Sequence, residues 1–153
     1  MAEETFEDAF MDIQTGLVSL VLEALEGVAG VSRVYIFGAV EEGMTSFNAC
    51  VQLGERIERL DAVVCDRGIL LQVMGLGASD LEGLVQLCTR HGRACPTQLR
   101  GCYDMGGGYD ARYSYEPLAS RAVDPVAPGT AFAAWVEELR AGGDLAHVEK
   151  PPR

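Results

Sequence analysis

Four side chains that can bind a metal or act as nucleophiles fall in one short stretch of this chain: Cys88, His91, Cys95 and Cys102. Structural zinc sites use thiolate and imidazole ligands, but they take them in closely spaced pairs. The spacing C-x2-H-x3-C-x6-C lacks such pairs, and Cys88 falls on the apolar stripe of a predicted helix. We therefore predict no bound metal and no cofactor, and we expect the cysteines to be free thiols in a reducing compartment.

Nucleophilic catalysis by a cysteine would need one of the two histidines, His91 or His147, as its base. We place His91 at the end of a helix, where a cation is favoured anyway, and His147 in a polar tail. Glu41 and Glu42 are adjacent at a turn and point apart, so they do not form an acid–base pair. No serine-hydrolase or zinc-protease motif is present. We predict a protein that is not an enzyme and has no catalytic residues.

The segment from Cys95 to Pro117 has the clearest structural pattern in the chain. Apolar and polar residues alternate along both of its arms, which is typical of half-buried β-strands. The glycines Gly106–Gly108 allow a tight connection between the arms. The pattern predicts a β-hairpin with charge on its outer face. Its inner face would carry Leu99, Gly101, Tyr103, Met105, Tyr109, Ala111, Tyr113 and Tyr115.

The remaining elements follow from apolar periodicity. Helices are predicted at Glu3–Leu25, Asp80–His91 and Thr130–Arg140, the last burying Trp135. Strands are predicted at Val31–Val40, Thr45–Leu53 and Arg56–Val64. The run Ile69–Met74 fits either a strand or a helix. Gly75, Gly77 and Ser79 indicate a loop, with Ser79 as the N-cap of the following helix.

Strands in adjacent antiparallel groups predict an α+β fold. We expect a single domain over residues 1–143, in which an antiparallel β-sheet, made of a meander and the C-terminal hairpin, is flanked by about three helices. Residues 144–153 are expected to form a flexible polar tail.

The charge balance is strongly acidic, with 23 acidic against 12 basic residues and a net charge of −11. Such a protein is repelled by nucleic acid and by anionic membranes, so we expect neither as a direct partner. The negative electrostatic field of the protein would attract a basic protein partner. The alternative explanation is that the acidic composition only keeps the protein soluble. No apolar run of about 18 residues predicts a membrane span. The acidic N-terminus does not resemble a signal peptide, so we expect a cytoplasmic protein.

Several short motifs occur in order along the chain: Pro96-Thr97, Tyr103-Asp104, the Gly106–Gly108 turn, Tyr113 with Tyr115, and Phe132 with Trp135 near the C-terminus. Through these motifs, the hairpin and the helix end before it resemble the C-terminal half of the YezG-like immunity proteins of bacterial polymorphic toxin systems. The segment Val34–Leu53 is similar to the first hairpin of that family, and the resemblance does not extend to Asp66–Gly77.

The resemblance implies an immunity protein, or antitoxin, that binds and occludes a cognate toxin such as a nuclease. Since nucleases carry basic clefts, an acidic inhibitor would dock there with fast, salt-sensitive association. Two alternatives stay open. One is a non-catalytic adaptor or toxin-specific chaperone of the same fold, and the other is a small thiol- or metal-dependent enzyme or ligand-binding protein.

For partner binding we predict acidic residues that lie next to aromatic or turn positions, with Tyr109 as the aromatic anchor. The opposing interpretation is that the hairpin tyrosines belong to the core and that the carboxylates only keep the hairpin soluble. The complete set of predicted partner-binding residues is Glu41, Glu42, Asp104, Tyr109, Asp110 and Glu116.

Overall fold

The computed structural model describes residues 5–41, 44–116 and 128–142. Within these ranges the chain forms one five-stranded antiparallel sheet with helices on both of its faces. The predicted α+β architecture is confirmed. In chain order the elements are α1 (Phe6–Ala24), β1 (Val31–Glu41), β2 (Met44–Leu53), β3 (Arg56–Arg59), α2 (Leu60–Val63), α3 (Arg67–Arg90), β4 (Gln98–Asp104), β5 (Tyr109–Ser114) and α4 (Pro128–Arg140).

The strand order is β3-β2-β1-β4-β5, so β1 lies at the centre of the sheet. The strand predicted at Val31–Val40 is confirmed, and its apolar residues lie on both faces. Val34 and Ile36 face one side and are fully buried, while Tyr35 and Phe37 face the other and are at most 5% exposed. A central strand covered on both sides has no polar face to present to water.

The two faces of the sheet are covered by different helices. The pair α1 and α3 packs over Val34 and Ile36, whereas α4 packs over Tyr35 and Phe37. The predicted burial of Trp135 is confirmed, because this α4 side chain is fully buried and meets the edge of Tyr35 at a centroid distance of 5.8 Å. We name these two sides the α1/α3 face and the α4 face.

The predicted strand Arg56–Val64 is wrong beyond Arg59. The chain turns there into the short helix α2, where the Val64 amide donates to the Leu60 carbonyl at 2.9 Å. Leu60 and Val64 are both buried in the core of the α1/α3 face. Their spacing of one helical turn places both side chains on that core, which explains the change of element.

The predicted loop at Gly75–Ser79 is also wrong, because α3 runs unbroken through it. The helix begins where the Asp66 carboxylate accepts the amide hydrogens of Gly68 and Ile69, at 2.8 and 3.1 Å. Gly77 lies directly on the Phe47 ring, and a Cβ atom at this position would collide with it. This glycine therefore allows close helix–sheet packing instead of ending the helix.

The other helix predictions are confirmed to within a few residues. Helix α1 begins after Thr5, whose hydroxyl accepts the Asp8 amide hydrogen at 3.1 Å, and α4 ends before Gly142. The start of the predicted first helix, most of the loop before α4 and the predicted tail at 144–153 lie outside the described residues.

Candidate functional site

The structure does not gather the predicted partner-binding residues into one site. Asp104 and Asp110 lie near the hairpin turn, on the α4 face of β4 and β5. Glu41 and Glu116 lie at the opposite end of the sheet, beyond the paired residues Ala39 and Gln98. Glu42 lies outside the described residues. The predicted set is therefore split between two ends of the sheet.

Both hairpin carboxylates are paired with arginines. Arg33 lies 3.5 Å from Asp104, and Arg112 lies 2.8 Å from Asp110. The Asp104 carboxylate also accepts the amide hydrogen of Gly106 at 2.8 Å. Because each negative charge has a positive neighbour, this end of the hairpin contributes little to the acidic field of the protein.

Tyr109 points into the α1/α3 face. Its hydroxyl donates a 2.7 Å hydrogen bond to Oε1 of Gln14, and its ring packs against the core of that face. Gln14 is fully buried, and burial raises the pKa of the Tyr109 hydroxyl. This placement favours the interpretation that the hairpin tyrosines belong to the core, and it does not favour Tyr109 as a partner anchor.

Two other predicted residues frame the far end of the sheet. Glu41 closes β1 and is paired with Met44 at the start of β2. The backbone carbonyl of Glu116 accepts a 2.6 Å hydrogen bond from the Thr97 hydroxyl, which fixes the chain beyond β5 against the start of β4. The Glu116 residue is exposed.

The four residues considered as zinc ligands are not brought together. Cys88 and Cys95 are neighbours near the end of α3, whereas Cys102 packs on the α4 face, with the sheet between them. Burial raises the pKa of Cys95 to about 12 and that of Cys102 to about 11. Protonated thiols are poor nucleophiles and poor metal ligands. Within the described ranges, no group of three or more His, Cys, Asp or Glu residues is arranged to hold a metal ion.

Sequence reasoning missed an exposed aliphatic surface on the N-terminal half of α3. Ile69, Leu71, Met74 and Leu76 are 39%, 64%, 38% and 44% exposed, and we name them the α3 patch. Helical spacing places Ile69 with Leu76 on one flank of the exposed side of α3 and Leu71 with Met74 on the other. No charged residue lies between Arg67 and Asp80 to interrupt it. The available signal was the width of the apolar run, which exceeds the single stripe that a helix buries against a sheet.

A small pocket adjoins the α3 patch at Met74. Its volume is about 90 Å³. On its polar side, Arg59 lies 3.9 Å from Asp61, and its guanidinium carbon lies 5.0 Å from the centre of the Phe132 ring. Further lining residues are Asn48, Ala49, Leu60 and Leu70.

The helix beside the α3 patch carries only acidic charge. Helix α1 contains no lysine or arginine. It runs antiparallel to α3, because Phe6 stacks on His91 at 5.3 Å and Gly16 lies next to Asp80. The C-terminal half of α1 is therefore beside the α3 patch. The exposed acidic residues of α1 are Glu7, Asp8, Asp12 and Glu23.

Helix α3 is the one helix of the described chain that is long and apolar enough to cross a membrane by length and composition. This is weak evidence, because a core helix of a folded domain passes the same test. Here α3 packs on the sheet through Val73, Gly77 and Leu81. Only 22% of its most apolar segment is buried, which reflects the exposure of the α3 patch.

No protein-family model and no curated protein matches this chain. The resemblance of its hairpins to the YezG-like immunity proteins therefore stays a hypothesis that rests on the residues named above.

Proposed function

We propose that this protein binds a basic protein partner and occludes its working surface, as an immunity protein does with a bacterial toxin such as a nuclease. The observation that carries the proposal is the α3 patch, which lies beside a helix whose charged side chains are all acidic. Exposed aliphatic surfaces of this kind mark protein-interaction sites.

The charge distribution supports a basic partner. The whole chain carries a net charge of −11, and α1 contributes carboxylates with no compensating lysine or arginine of its own. Glu7 is paired with Arg93 at 3.2 Å, but Asp12 and Glu23 extend the acidic side of α1 toward the α3 patch. An acidic field of this kind speeds the encounter with a basic protein.

The exposed apolar residues of α3 would supply the affinity that charge alone does not give. Charged groups at the rim of an interface set the association rate, whereas a buried apolar centre supplies most of the affinity. Leu71 is the most exposed member of the α3 patch, at 64%. Met74 lies one helical turn from Leu71 on the same side of α3, so these two side chains would form the apolar part of such an interface.

The resemblance to the YezG-like proteins also favours a toxin as the partner. It rests on residues of the hairpins and of α4, which are separate from the α3 patch. It would also place the protein in the cytoplasm, where a toxin made by or delivered into the cell acts.

A co-expression assay tests the proposal. The first step is to establish whether a toxin domain is encoded next to this gene. That domain is then the probe, expressed from an inducible promoter with and without the protein. We expect the wild-type protein to restore growth. Leu71→Asp should abolish protection, because it places a charge in the apolar centre of the interface. Gln86→Asp adds the same charge at an exposed position of α3 outside the patch, and it should protect as well as the wild type.

The outcomes separate the alternatives. If the wild-type protein neither binds the toxin domain nor protects the cells, the proposed function is wrong. If it binds but leaves the activity of the purified toxin intact, the adaptor or chaperone alternative replaces the proposal. Equal protection by both aspartate variants would show that the α3 patch is not the binding surface.

A further inference from the structure

Helices α1 and α3 leave open space between them at Gly16. Apart from the backbone of α1 itself, a Cβ atom at Gly16 would meet one described atom within 4 Å, which is Oδ2 of Asp80 on α3, at 3.9 Å. Gly83, one helical turn beyond Asp80, has nothing within 4 Å of its Cβ position. Both glycines are partly exposed. We name this space, which Gly16, Asp80 and Gly83 line, the Gly16 notch.

The Asp80 carboxylate has no partner in the notch. Within the described ranges its side chain forms no ion pair and no hydrogen bond. The basic residues of α3, Arg67 and Arg90, lie at its two ends, away from Asp80. Burial raises the pKa of the Asp80 carboxyl above its ordinary value, and no neighbouring cation opposes the shift. An unpaired carboxylate that is partly removed from water costs the folded state free energy, so Asp80 is not there for stability.

Two further carboxylates lie along the side of α1 that faces the notch. Asp12 and Glu23 belong to the same row of the helix as Gly16, at spacings of three and four residues through Leu20. They are separated by about 16 Å along the helix axis. Both are exposed, and neither takes part in an ion pair among the described residues. The Gly16 notch therefore lies between two carboxylates whose charge is not neutralised.

The notch continues the α3 patch. Leu76, 44% exposed, lies one helical turn before Asp80 on the same flank of α3. Between this flank and the one that carries Leu71, the outward side of α3 includes Gly75 and Ser79, which are exposed and have short side chains. A single partner surface seated on α3 can therefore reach both flanks and the notch.

We infer that the Gly16 notch receives a basic side chain of the partner protein, whose charged end pairs with Asp80. This inference rests on the proposed function and specifies the contact that positions the partner. Arginine and lysine have long apolar stems, and such a stem would lie on Leu76 while the charged end reaches Asp80. Asp12 and Glu23 would attract the partner before contact. The pair with Asp80 would form where water is partly excluded, which strengthens the attraction between two charges.

A matched pair of neutral variants tests the inference, with the toxin domain of the co-expression assay as the probe. Asp80→Asn and Glu82→Gln each remove one negative charge from α3 and keep the shape of the side chain. Glu82 is exposed and points to a different side of the helix, so it controls for the loss of net charge. We expect Asp80→Asn to raise the Kd for the toxin domain at least about tenfold over that of Glu82→Gln.

The stability of the free variant separates a binding role from a structural one. Asp80→Asn should be at least as stable in urea as the wild type, because the neutral amide removes the cost of a partly buried charge. A residue that served only the fold would lose stability and binding together.

A second variant fills the notch without changing any charge. In Gly16→Ala the added methyl group lies 3.9 Å from Oδ2 of Asp80, which is an ordinary contact, and alanine is favoured over glycine inside a helix. The variant should therefore fold. Its methyl group occupies the space that the charged end of the partner side chain needs, so the Kd should rise at least about threefold.

Each outcome bears on a separate claim. If the wild-type protein does not bind the toxin domain, the proposed function fails first. Equal Kd values for Asp80→Asn and Glu82→Gln would overturn the notch as a docking site but leave the proposed function standing. If light scattering shows a dimer of this chain that Asp80→Asn dissociates, the basic side chain belongs to a second copy and the inference is wrong. Should Asp80→Asn fail to fold, Gly16→Ala decides, and an unchanged Kd in that variant would overturn the inference.

Discussion

Gln14 on α1 and Tyr109 on β5 are joined by a 2.7 Å hydrogen bond, in which the tyrosine hydroxyl donates to Oε1 of the amide. The other end of the same amide donates from Nε2 to the Tyr113 hydroxyl at 2.8 Å. Gln14 is fully buried, so its polar atoms depend on these two tyrosines. The three side chains fasten the C-terminal hairpin to the first helix.

Replacing this glutamine with an apolar side chain of similar shape should destabilise the protein. In Gln14→Met the two tyrosine hydroxyls lose their amide partner, and we expect a loss of about 1–3 kcal/mol in the free energy of unfolding. The triple variant Gln14→Met, Tyr109→Phe, Tyr113→Phe should recover most of it, because no unsatisfied polar atom remains. Urea unfolding measures both, and a triple variant no more stable than the single one would contradict the account.

Two neighbouring glycines of α3 should respond in opposite ways to alanine. Gly77→Ala should destabilise by about 1–3 kcal/mol, because its methyl group collides with the Phe47 ring. Gly75 has open space around its Cβ position, so Gly75→Ala should stabilise by about 0.5–1 kcal/mol through helix propensity. Thermal unfolding of the two variants compares them directly. Destabilisation of similar size in both would argue against a continuous helix.

Trp135 should be a principal contributor to stability on the α4 face. Trp135→Ala should cost about 3–5 kcal/mol, because it leaves a large cavity beside Tyr35 and Phe37. Trp135→Phe should cost less, since it keeps a ring and removes an indole N–H that has no hydrogen-bond partner among the described residues. Unfolding in urea should be followed by circular dichroism, because Trp135 is the only tryptophan and both variants lose its fluorescence. An alanine variant as stable as the wild type would contradict this packing.

Stability should fall at alkaline pH. Burial raises the pKa of the Cys50 thiol from 9.0 to about 12, so the folded state keeps a proton that the unfolded chain releases above pH 9. The free energy of unfolding that the protonated Cys50 thiol contributes is fully present below pH 9 and is lost as the pH rises toward 12. In Cys50→Ala the decline in unfolding free energy between these pH values should be shallower. Cys65→Ala, at an exposed position, should leave the pH dependence unchanged.

The elements that the sequence predicted correctly depend on local patterns. The stripe of α1, the aromatic residues of α4 and the alternation in the hairpin are visible within single segments. The course of α3 depends on Phe47, a residue of another element that Gly77 contacts. No local pattern reports such a contact, so the two glycines were interpreted as a loop.

The candidate surface was harder to predict for the same reason. Composition shows that the chain is acidic, but the pairing of Asp104 with Arg33 depends on strand register. The exposure of the α3 patch depends on which side chains of α3 pack against the sheet, and the local sequence does not report this. The end of β3 depends on where the chain turns into α2, and it was predicted several residues too late.

The most direct test of the central claim is a titration of the purified toxin domain with this protein, in which the catalytic activity of the toxin is measured at low and high salt. The account predicts complete inhibition at one equivalent, with an association rate that falls as salt screens the acidic field over about 10 Å at 0.1 M. Undiminished toxin activity at a large excess of the protein, at either salt concentration, would contradict it.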